Sequence, residues 1–251
     1  QAEDRIRQIA DRAEELSGIK GYSEKFFNYM AKGWISLSTP VWCNYGLQRG
    51  LPISCFGGTI QDDTADIFRA LSEAGMMSKY GGGTAGYFGN LRPRGSVISG
   101  GGKTNGSVAF MEMFDTMANI ISQGSSRRGS FAAYLPIDHG DILEFLNIRE
   151  EGHPIQHLSI GVTVPDYWMQ EMIDGDVEKR RVWAKVLEKR IETGYPYLFF
   201  DDNVNRNKPQ VYKDLNLPIK HSQLCTEILE YTDDRITFTC GISSVNLLHY
   251  D

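Results

Sequence analysis

Long apolar runs are missing from this sequence, and without about 18 consecutive apolar residues no segment is expected to span a membrane. A signal peptide is missing too, because residues 1–18 form a charged helical pattern. Positive charge is in the minority, since 26 Lys and Arg stand against 32 Asp and Glu, a net charge of −6. That balance makes a nucleic-acid polymer a poor partner. We therefore expect a cytoplasmic chain (host cytoplasm if the source is viral) with neither membrane nor nucleic-acid partners.

Cysteine is scarce, with only Cys43, Cys55, Cys225 and Cys240 present. There is no C-x-x-C pair and no Cys/His cluster with zinc spacing, so we expect no metal site in this chain. Four thiols without a secretion signal predict a reducing compartment. The plainest alternative is that all four are small buried hydrophobic residues.

Helical periodicity and β-rich stretches alternate along the chain, which predicts an α/β fold. Helices are predicted near 6–18, 26–34, 64–80, 107–122, 140–150, 165–174 and 177–193. Strands are predicted at 130–135, 158–164, 196–200, 222–229 and 236–240.

A glycine-rich segment, 81–106, has 10 glycines in 26 residues and is predicted to be a loop with backbone amides available to a ligand. The G-x-G-x-x-G match at 81–86 follows a predicted helix and precedes none, so a dinucleotide site is disfavoured. Nearby basic residues suit nucleotide phosphates, with a solvated basic loop as an equal alternative. They are Arg92, Arg94, Lys103, Arg127 and Arg128.

The stretch 222–228 carries the more specific signal. As a strand it would place Gln223, Cys225 and Glu227 on one face, which presents an amide, a thiol and a carboxyl together. A catalytic site can use such a trio, whereas packing does not require it. Cys240 and Cys55 could supply a dithiol if their Cα atoms lie within about 7 Å, a question that the sequence leaves open.

At these residues the chain resembles the catalytic large subunit of class I ribonucleotide reductase. The resemblance runs in order along nearly the whole chain. Its matching segments are Ser38-Thr39-Pro40, Ser54-Cys55, Gly82 to Gly95 with Arg92, Gln123-Gly124 with Arg127-Arg128-Gly129, Tyr134-Leu135, Asp141-Ile142, Glu144-Phe145-Leu146, Glu192-Thr193-Gly194 with Pro196-Tyr197, Asp202, Asn205, Leu224 to Ile228, Cys240 and Asn246-Leu247.

The resemblance implies a ten-stranded α/β barrel of two half-barrels, with a finger loop inside. Residues 1–37 would be a helical N-terminal segment and 38–251 roughly the first half-barrel. Its implied catalytic roles are a thiyl radical at Cys225, a general base at Glu227, a substrate-holding amide at Gln223, and a reducing dithiol of Cys55 and Cys240. In this family the amide is usually Asn, so Gln223 is one methylene longer than expected.

The binding roles are also implied by the resemblance. Thr39 and Ser54 would contact a ribonucleoside diphosphate substrate. Asp62, Asp63 and Arg92 would bind a deoxynucleotide or ATP effector at a dimer interface. The loop from 123 to 130, with Gln123, Ser126, Arg127 and Arg128, would relay effector identity to substrate choice.

The implied partners are a second large subunit, a metal-containing small subunit that supplies the radical, and a thioredoxin- or glutaredoxin-type reductant. The second half-barrel, its radical-transfer tyrosines and the cysteine-bearing tail have no counterpart in this sequence. We therefore expect a first portion of a large subunit, either one piece of a split protein or a truncated sequence, inactive until a complementary C-terminal fragment completes it.

Two further hypotheses come from the same residues. One is a catalytically silent nucleotide-binding regulator, which the four intact site residues Cys55, Cys225, Glu227 and Cys240 disfavour. The other is an adenosylcobalamin-dependent reductase of the same superfamily. Leu224 disfavours it, because those enzymes tend to have Pro before the radical cysteine.

Overall fold

A computed structural model describes residues 2–121 and 128–249. Those two stretches form ten α-helices and eight β-strands in an α/β arrangement, as predicted. The helices are α1 Ala2–Ser17, α2 Tyr22–Ala31, α3 Thr39–Asn44, α4 Thr64–Lys79, α5 Gly106–Ile120, α6 Ile142–Phe145, α7 Asp166–Asp174, α8 Val177–Thr193, α9 Asp201–Asn207 and α10 Gln210–Asp214. The strands are β1 Ile35–Leu37, β2 Cys55–Thr59, β3 Gly83–Tyr87, β4 Phe131–Pro136, β5 Ser159–Thr163, β6 Tyr197–Phe199, β7 Phe238–Cys240 and β8 Ser243–Val245.

The main sheet has six strands in the order β6-β5-β4-β3-β2-β7. Strands β2 to β6 run parallel, and β7 pairs antiparallel with β2. Parallel neighbours need crossover connections, and α4, α5, α7 and α8 lie in those crossovers. Five consecutive parallel strands are what half of a ten-stranded barrel requires.

The two faces of the sheet differ in what covers them. Phe131, Ala133 and Leu135 of β4 pack into the large core under the helices. Ala132 and Tyr134 point the other way, and join Ala85, Tyr87 and Leu224 in a small cluster. We call this second side the inner face, defined by Cys55, Ala85, Tyr87, Ala132 and Tyr134, which the strand register aligns.

The glycine-rich segment 81–106 was predicted to be a loop, and that prediction is wrong in part. The segment contains β3, which lies in the middle of the sheet. At Gly82, just before this strand, and at Gly83, its first residue, neighbouring side chains pack against the backbone where a Cβ would lie. A Cβ on Gly82 would lie 2.3 Å from the Phe56 ring, and one on Gly83 would lie 2.6 Å from Leu224 Cδ2. The G-x-G-x-x-G match therefore enters a strand instead of a helix, which argues against the dinucleotide site.

The predicted strand at 222–229 is also wrong. The backbone makes a turn in which the Thr226 N–H donates to the Gln223 carbonyl at 3.3 Å. Thr226 has φ of +68°, a left-handed conformation that breaks strand alternation and is unusual for a β-branched residue. Gln223 and Cys225 consequently do not share a face: Gln223 is fully buried and Cys225 is exposed.

The N-terminal helices α1 and α2 pack against each other, and β1 pairs antiparallel with β8. A domain boundary at residue 37 stays a prediction. In the described part of the chain, no helix is both long and apolar enough to cross a membrane. The same residues contain no group of three or more His, Cys, Asp or Glu arranged to hold a metal ion.

Candidate active site

Cys55 and Cys240 meet on neighbouring strands. They are direct partners in the antiparallel register of β2 and β7. Residues so paired have Cα atoms about 4.5–5.5 Å apart, within the reach of a disulfide. Both side chains are buried, and both cysteines are thiols in this structure. The sequence left this pairing open, and the register places the two thiols side by side.

Burial raises the pKa of the Cys240 thiol, and the nearby carboxyl groups of Glu227 and Glu230 raise it further. A hydrogen bond with Cys55 acts in the opposite direction. The Cys240 thiol therefore keeps its proton at neutral pH.

Cys225 occupies an exposed position on the turn over the inner face. The turn lies close to the paired thiols, because Leu224 and Cys55 meet over the same residue: a Cβ on Gly83 would lie 2.6 Å from Leu224 Cδ2 and 3.4 Å from Cys55 Sγ. Cys225 also contributes to the raised pKa of Cys240. Glu227 is exposed as well and acts on the same Cys240 thiol. The structure thus brings Cys55, Cys225, Glu227 and Cys240 into one site.

Gln223 is placed differently from the expectation. Its side-chain oxygen accepts hydrogen bonds from the backbone N–H groups of Glu227 at 3.1 Å and Ile228 at 2.9 Å. Ser222 Oγ lies 2.7 Å from the same oxygen. The Gln223 amide nitrogen is buried and has no partner among the described residues. Gln223 belongs to the site, but on the inside of the turn.

Four rings lie beneath the turn, those of Tyr87, Tyr134, His221 and Phe238, and we call them the aromatic floor. His221 is fully buried, with its ring centroid 6.0 Å from that of Tyr87, 5.5 Å from that of Tyr134 and 5.6 Å from that of Phe238. Burial lowers the pKa of His221 to about 4, so the ring is neutral at physiological pH. Its Nδ1 lies 2.7 Å from the Ser222 carbonyl oxygen, which ties the floor to the start of the turn.

The two proposed substrate contacts lie on the same side of the fold. Ser54 directly precedes Cys55, is buried, and has a hydroxyl without a partner among the described residues. Thr39 is exposed at the first position of α3. The Ser38 N–H donates to the Ile242 carbonyl at 3.2 Å, which anchors α3 beside the segment that follows Cys240.

The proposed effector residues are separate from the thiols, at the N-terminus of α4. Arg92 Nε lies 2.5 Å from Asp62 Oδ2, and the Arg92 N–H donates to Asp62 Oδ1 at 3.3 Å. Asp63 has a structural role, because its carboxylate caps α4 by accepting from the Ala65 and Asp66 N–H groups. An ion pair thus joins Asp62 to Arg92, whereas the Asp63 carboxylate is used to cap the helix. Effector binding by these residues stays a prediction.

The proposed specificity loop is described only in part. Gln123, Ser126 and Arg127 lie outside the described residues. Arg128 is exposed and lines a crevice together with Gly82, Gly83 and Leu224. The end of this loop therefore comes within reach of the residue that precedes Cys225.

Comparison with known proteins decides the family. The sequence model for "Ribonucleotide reductase, barrel domain" matches residues 53–177 and 171–251.

The chain belongs to the ribonucleotide reductase family.

Several large subunits of this family are similar to the chain. A Frog virus 3 protein assigned as a ribonucleoside-diphosphate reductase large subunit is 34% identical over 259 residues, covering 95% of this chain and 45% of that protein. The large subunit of Arabidopsis thaliana is 30% identical over 265 residues, covering 88% of this chain and 32% of that protein.

A solved structure supports the same assignment. The class Id ribonucleotide reductase alpha subunit of Actinobacillus ureae matches with a TM-score of 0.92 and 51% identity, covering 98% of this chain and 46% of that chain. The chain thus spans less than half the length of these relatives, and its fold is that of part of the ribonucleotide reductase alpha subunit.

Sequence reasoning assigned no role to Tyr134 and His221, which lie beneath the turn in this candidate site. On β4 both faces are buried, so Tyr134 is typical of a core strand residue and only its hydroxyl distinguishes it. His221 lies in no helix or strand, so hydrophobic periodicity could not single it out. It directly precedes the 222–229 segment, which was predicted to be a strand. A polar His-Ser pair directly before the cysteine motif is the one sequence signal that could have singled it out.

Proposed function

We propose that this chain provides the ribose-reducing chemistry of a ribonucleoside-diphosphate reductase. The observation that carries the proposal is the convergence of two paired, buried thiols, Cys55 and Cys240, with a turn that presents Cys225 and Glu227. A silent nucleotide-binding module does not require this set of groups in one place.

The proposed reaction uses these groups in the roles that the family resemblance implies. Cys225, oxidised to a thiyl radical, takes the hydrogen atom from C3′ of the ribose, and Glu227 accepts the proton of the 3′ hydroxyl. A proton from the dithiol lets the 2′ hydroxyl leave as water. The dithiol supplies two electrons and two protons overall and becomes a disulfide. Glu227 returns its proton to the 3′ oxygen, and Cys225 returns its hydrogen atom to C3′. The products are a deoxynucleotide, water and the Cys55–Cys240 disulfide.

Other components complete the cycle. A separate metal-containing small subunit would generate the oxidising equivalent at Cys225, and a thioredoxin- or glutaredoxin-type reductant would restore the dithiol in a reducing compartment such as the cytoplasm. The part of the relatives that this chain does not cover would help to position the substrate, which the organised site needs for its rate advantage. Likeness to a class Id alpha subunit favours this arrangement over an adenosylcobalamin enzyme.

Regulation is proposed at the Asp62–Arg92 pair. Arg92 offers a fixed positive charge to a deoxynucleotide or ATP effector, and Asp62 can accept from a ribose hydroxyl. Arg128 and the residues before it would transmit the identity of the effector to the crevice beside Leu224. Asp63 is left out of this proposal because it caps α4.

A second copy of the chain is the proposed partner at the outer surfaces of α4 and α5. Phe68 and Met76 of α4 are 55% and 46% exposed, and Ile120 of α5 is 69% exposed. The exposed groove on α5 is lined by Met113, Met117 and their neighbours. Contiguous apolar surface of this kind is typical of an association face, and it adjoins the Asp62–Arg92 pair at the start of α4.

The test is turnover in the reconstituted enzyme. The chain, supplied with the remaining part of a class I large subunit and a radical-bearing small subunit, should form deoxynucleoside diphosphate. Cys225→Ser should abolish turnover, whereas the matched control Cys43→Ser, in α3, should leave it unchanged. Turnover by Cys225→Ser would overturn the proposal. Turnover by this chain with the small subunit alone would contradict the need for the remaining part of the large subunit.

A further inference from the structure

We infer that Gln223 and Tyr134 are positioning residues that hold the Cys225 turn in shape. The inference rests on the proposed function for its catalytic consequences. Its structural basis is a set of hydrogen bonds that join both side chains to the backbone of the turn.

The orientation of the Gln223 amide is determined by its partners. The backbone N–H groups of Glu227 and Ile228 can only donate, so the atom that they share must be the side-chain oxygen. One acceptor thereby bridges residues four and five positions further along the chain. The side chain spans the interior of the turn and fixes the backbone on the far side of Cys225.

The Gln223 side chain is closed off from solvent, with 0% of the residue exposed. Its oxygen is the atom that the backbone of the turn holds, at 3.1 Å and 2.9 Å from the Glu227 and Ile228 nitrogens. Loss of this acceptor would leave two backbone N–H groups inside the turn without a partner, which disfavours the turn as it stands.

Tyr134 holds the turn from below. Its hydroxyl lies 2.7 Å from the Gln223 carbonyl oxygen and 2.7 Å from Thr226 Oγ1. The carbonyl can only accept, so the phenol donates to it and the Thr226 hydroxyl donates to the phenol oxygen. Thr226 is the residue with φ of +68°, and such a conformation persists only where its surroundings fix it.

The consequence is a defined relation between the reacting groups. Thr226 lies between Cys225 and Glu227, so its conformation sets the direction of both side chains relative to Cys240. Tyr134 binds one end of the turn and the Thr226 side chain, while Gln223 binds the other end. Loss of either contact should disturb the alignment of the thiol and the carboxylate, and leave the substrate-binding groups in place.

The experiment compares Gln223→Met, which removes the acceptor, with Gln223→Glu, which keeps an acceptor oxygen and removes the amide donor. Gln170→Met, on the exposed part of α7, is the matched control. Amide hydrogen exchange at Glu227 and Ile228, kcat and the substrate dissociation constant are measured in the reconstituted enzyme.

In Gln223→Met we expect exchange at the two amides to accelerate at least tenfold and kcat to fall at least tenfold, with substrate affinity within twofold. Gln223→Glu should restore most of the protection and of kcat. Tyr134→Phe, a separate variant in case Gln223→Met does not fold, should lower kcat without weakening substrate binding.

Weaker substrate binding in both Gln223 variants, with unchanged amide protection, would overturn the inference. So would unchanged protection and kcat in Gln223→Met. Failure of the proposed function is distinguishable, because the parent enzyme would then form no product while the exchange rates would still report the state of the turn.

Discussion

Replacing His221 with Phe should remove a large part of the acid sensitivity of this fold. Burial lowers the pKa of His221 to about 4 from an ordinary 6.5. Above pH 6.5 the ring is neutral in both the folded and the unfolded chain, so its full contribution to stability is present. As the pH falls from 6.5 towards 4, only the unfolded chain binds the proton, and stability is lost. A difference of about 2.5 pKa units corresponds to about 3 kcal/mol at the acid end of that range.

The assay is urea unfolding of parent and His221→Phe between pH 7.5 and 4. Carboxyl groups titrate in both proteins, so the difference between the two curves isolates the histidine. We expect the difference to grow by about 3 kcal/mol as the pH falls, because Phe fits among Tyr87, Tyr134 and Phe238 and cannot take up a proton. The control His249→Phe replaces an exposed histidine and should follow the parent. Parallel curves for parent and His221→Phe would refute the reasoning.

Three further predictions concern the site and its surroundings. Gly83→Ala would place a Cβ 2.6 Å from Leu224 Cδ2 and 3.4 Å from Cys55 Sγ, so we expect the turn to shift and kcat to fall at least tenfold; a steady-state assay with normal kcat would contradict this. Arg92→Ala should weaken dTTP binding about ten- to a hundredfold by loss of a charge-assisted contact, and equal binding in calorimetry would remove Arg92 from the effector site. Ile120→Glu should weaken self-association at least tenfold in sedimentation equilibrium, while Ile191→Glu, on the exposed side of α8, should not; equal effects would exclude the α4–α5 face as the interface.

Elements bounded by local signals could be predicted from the sequence. Helix α8 has the predicted limits, since Asp176 caps its first turn through the Lys179 N–H and Gly194 ends it with φ of +79°. Helix α4 was equally clear, with Asp63 before it and three glycines after it. In these cases the residues that end the element are adjacent to it in the chain.

Elements that depend on distant packing could not be predicted. Strand β3 is rich in glycine because Phe56 and Leu224 occupy the space of its side chains, and no local pattern shows this. The 222–229 turn has strand-like alternation but takes its shape from Tyr134, nearly ninety positions earlier in the chain. The same holds for the dithiol, since the register of β2 with β7 joins residues far apart in sequence.

Family resemblance singled out the site residues, and their catalytic roles stay predictions. The structure places Cys55 and Cys240 side by side, with the turn that carries Cys225 and Glu227 close to them. Gln223 was expected to point with Cys225, yet its side chain lies inside the turn, because residues 223–226 form a hydrogen-bonded turn and not a strand. Asp63 was grouped with Asp62, but an aspartate directly before a helix satisfies its unpaired N–H groups first.

The most direct test is to map the bond formed in a single turnover. The reconstituted enzyme is given substrate and effector without an external reductant, and its cysteines are then blocked and its peptides analysed by mass spectrometry. We expect one disulfide, joining the peptides that contain Cys55 and Cys240, in proportion to the deoxynucleotide formed. A disulfide to Cys225 or Cys43, or product without the Cys55–Cys240 bond, would contradict the account.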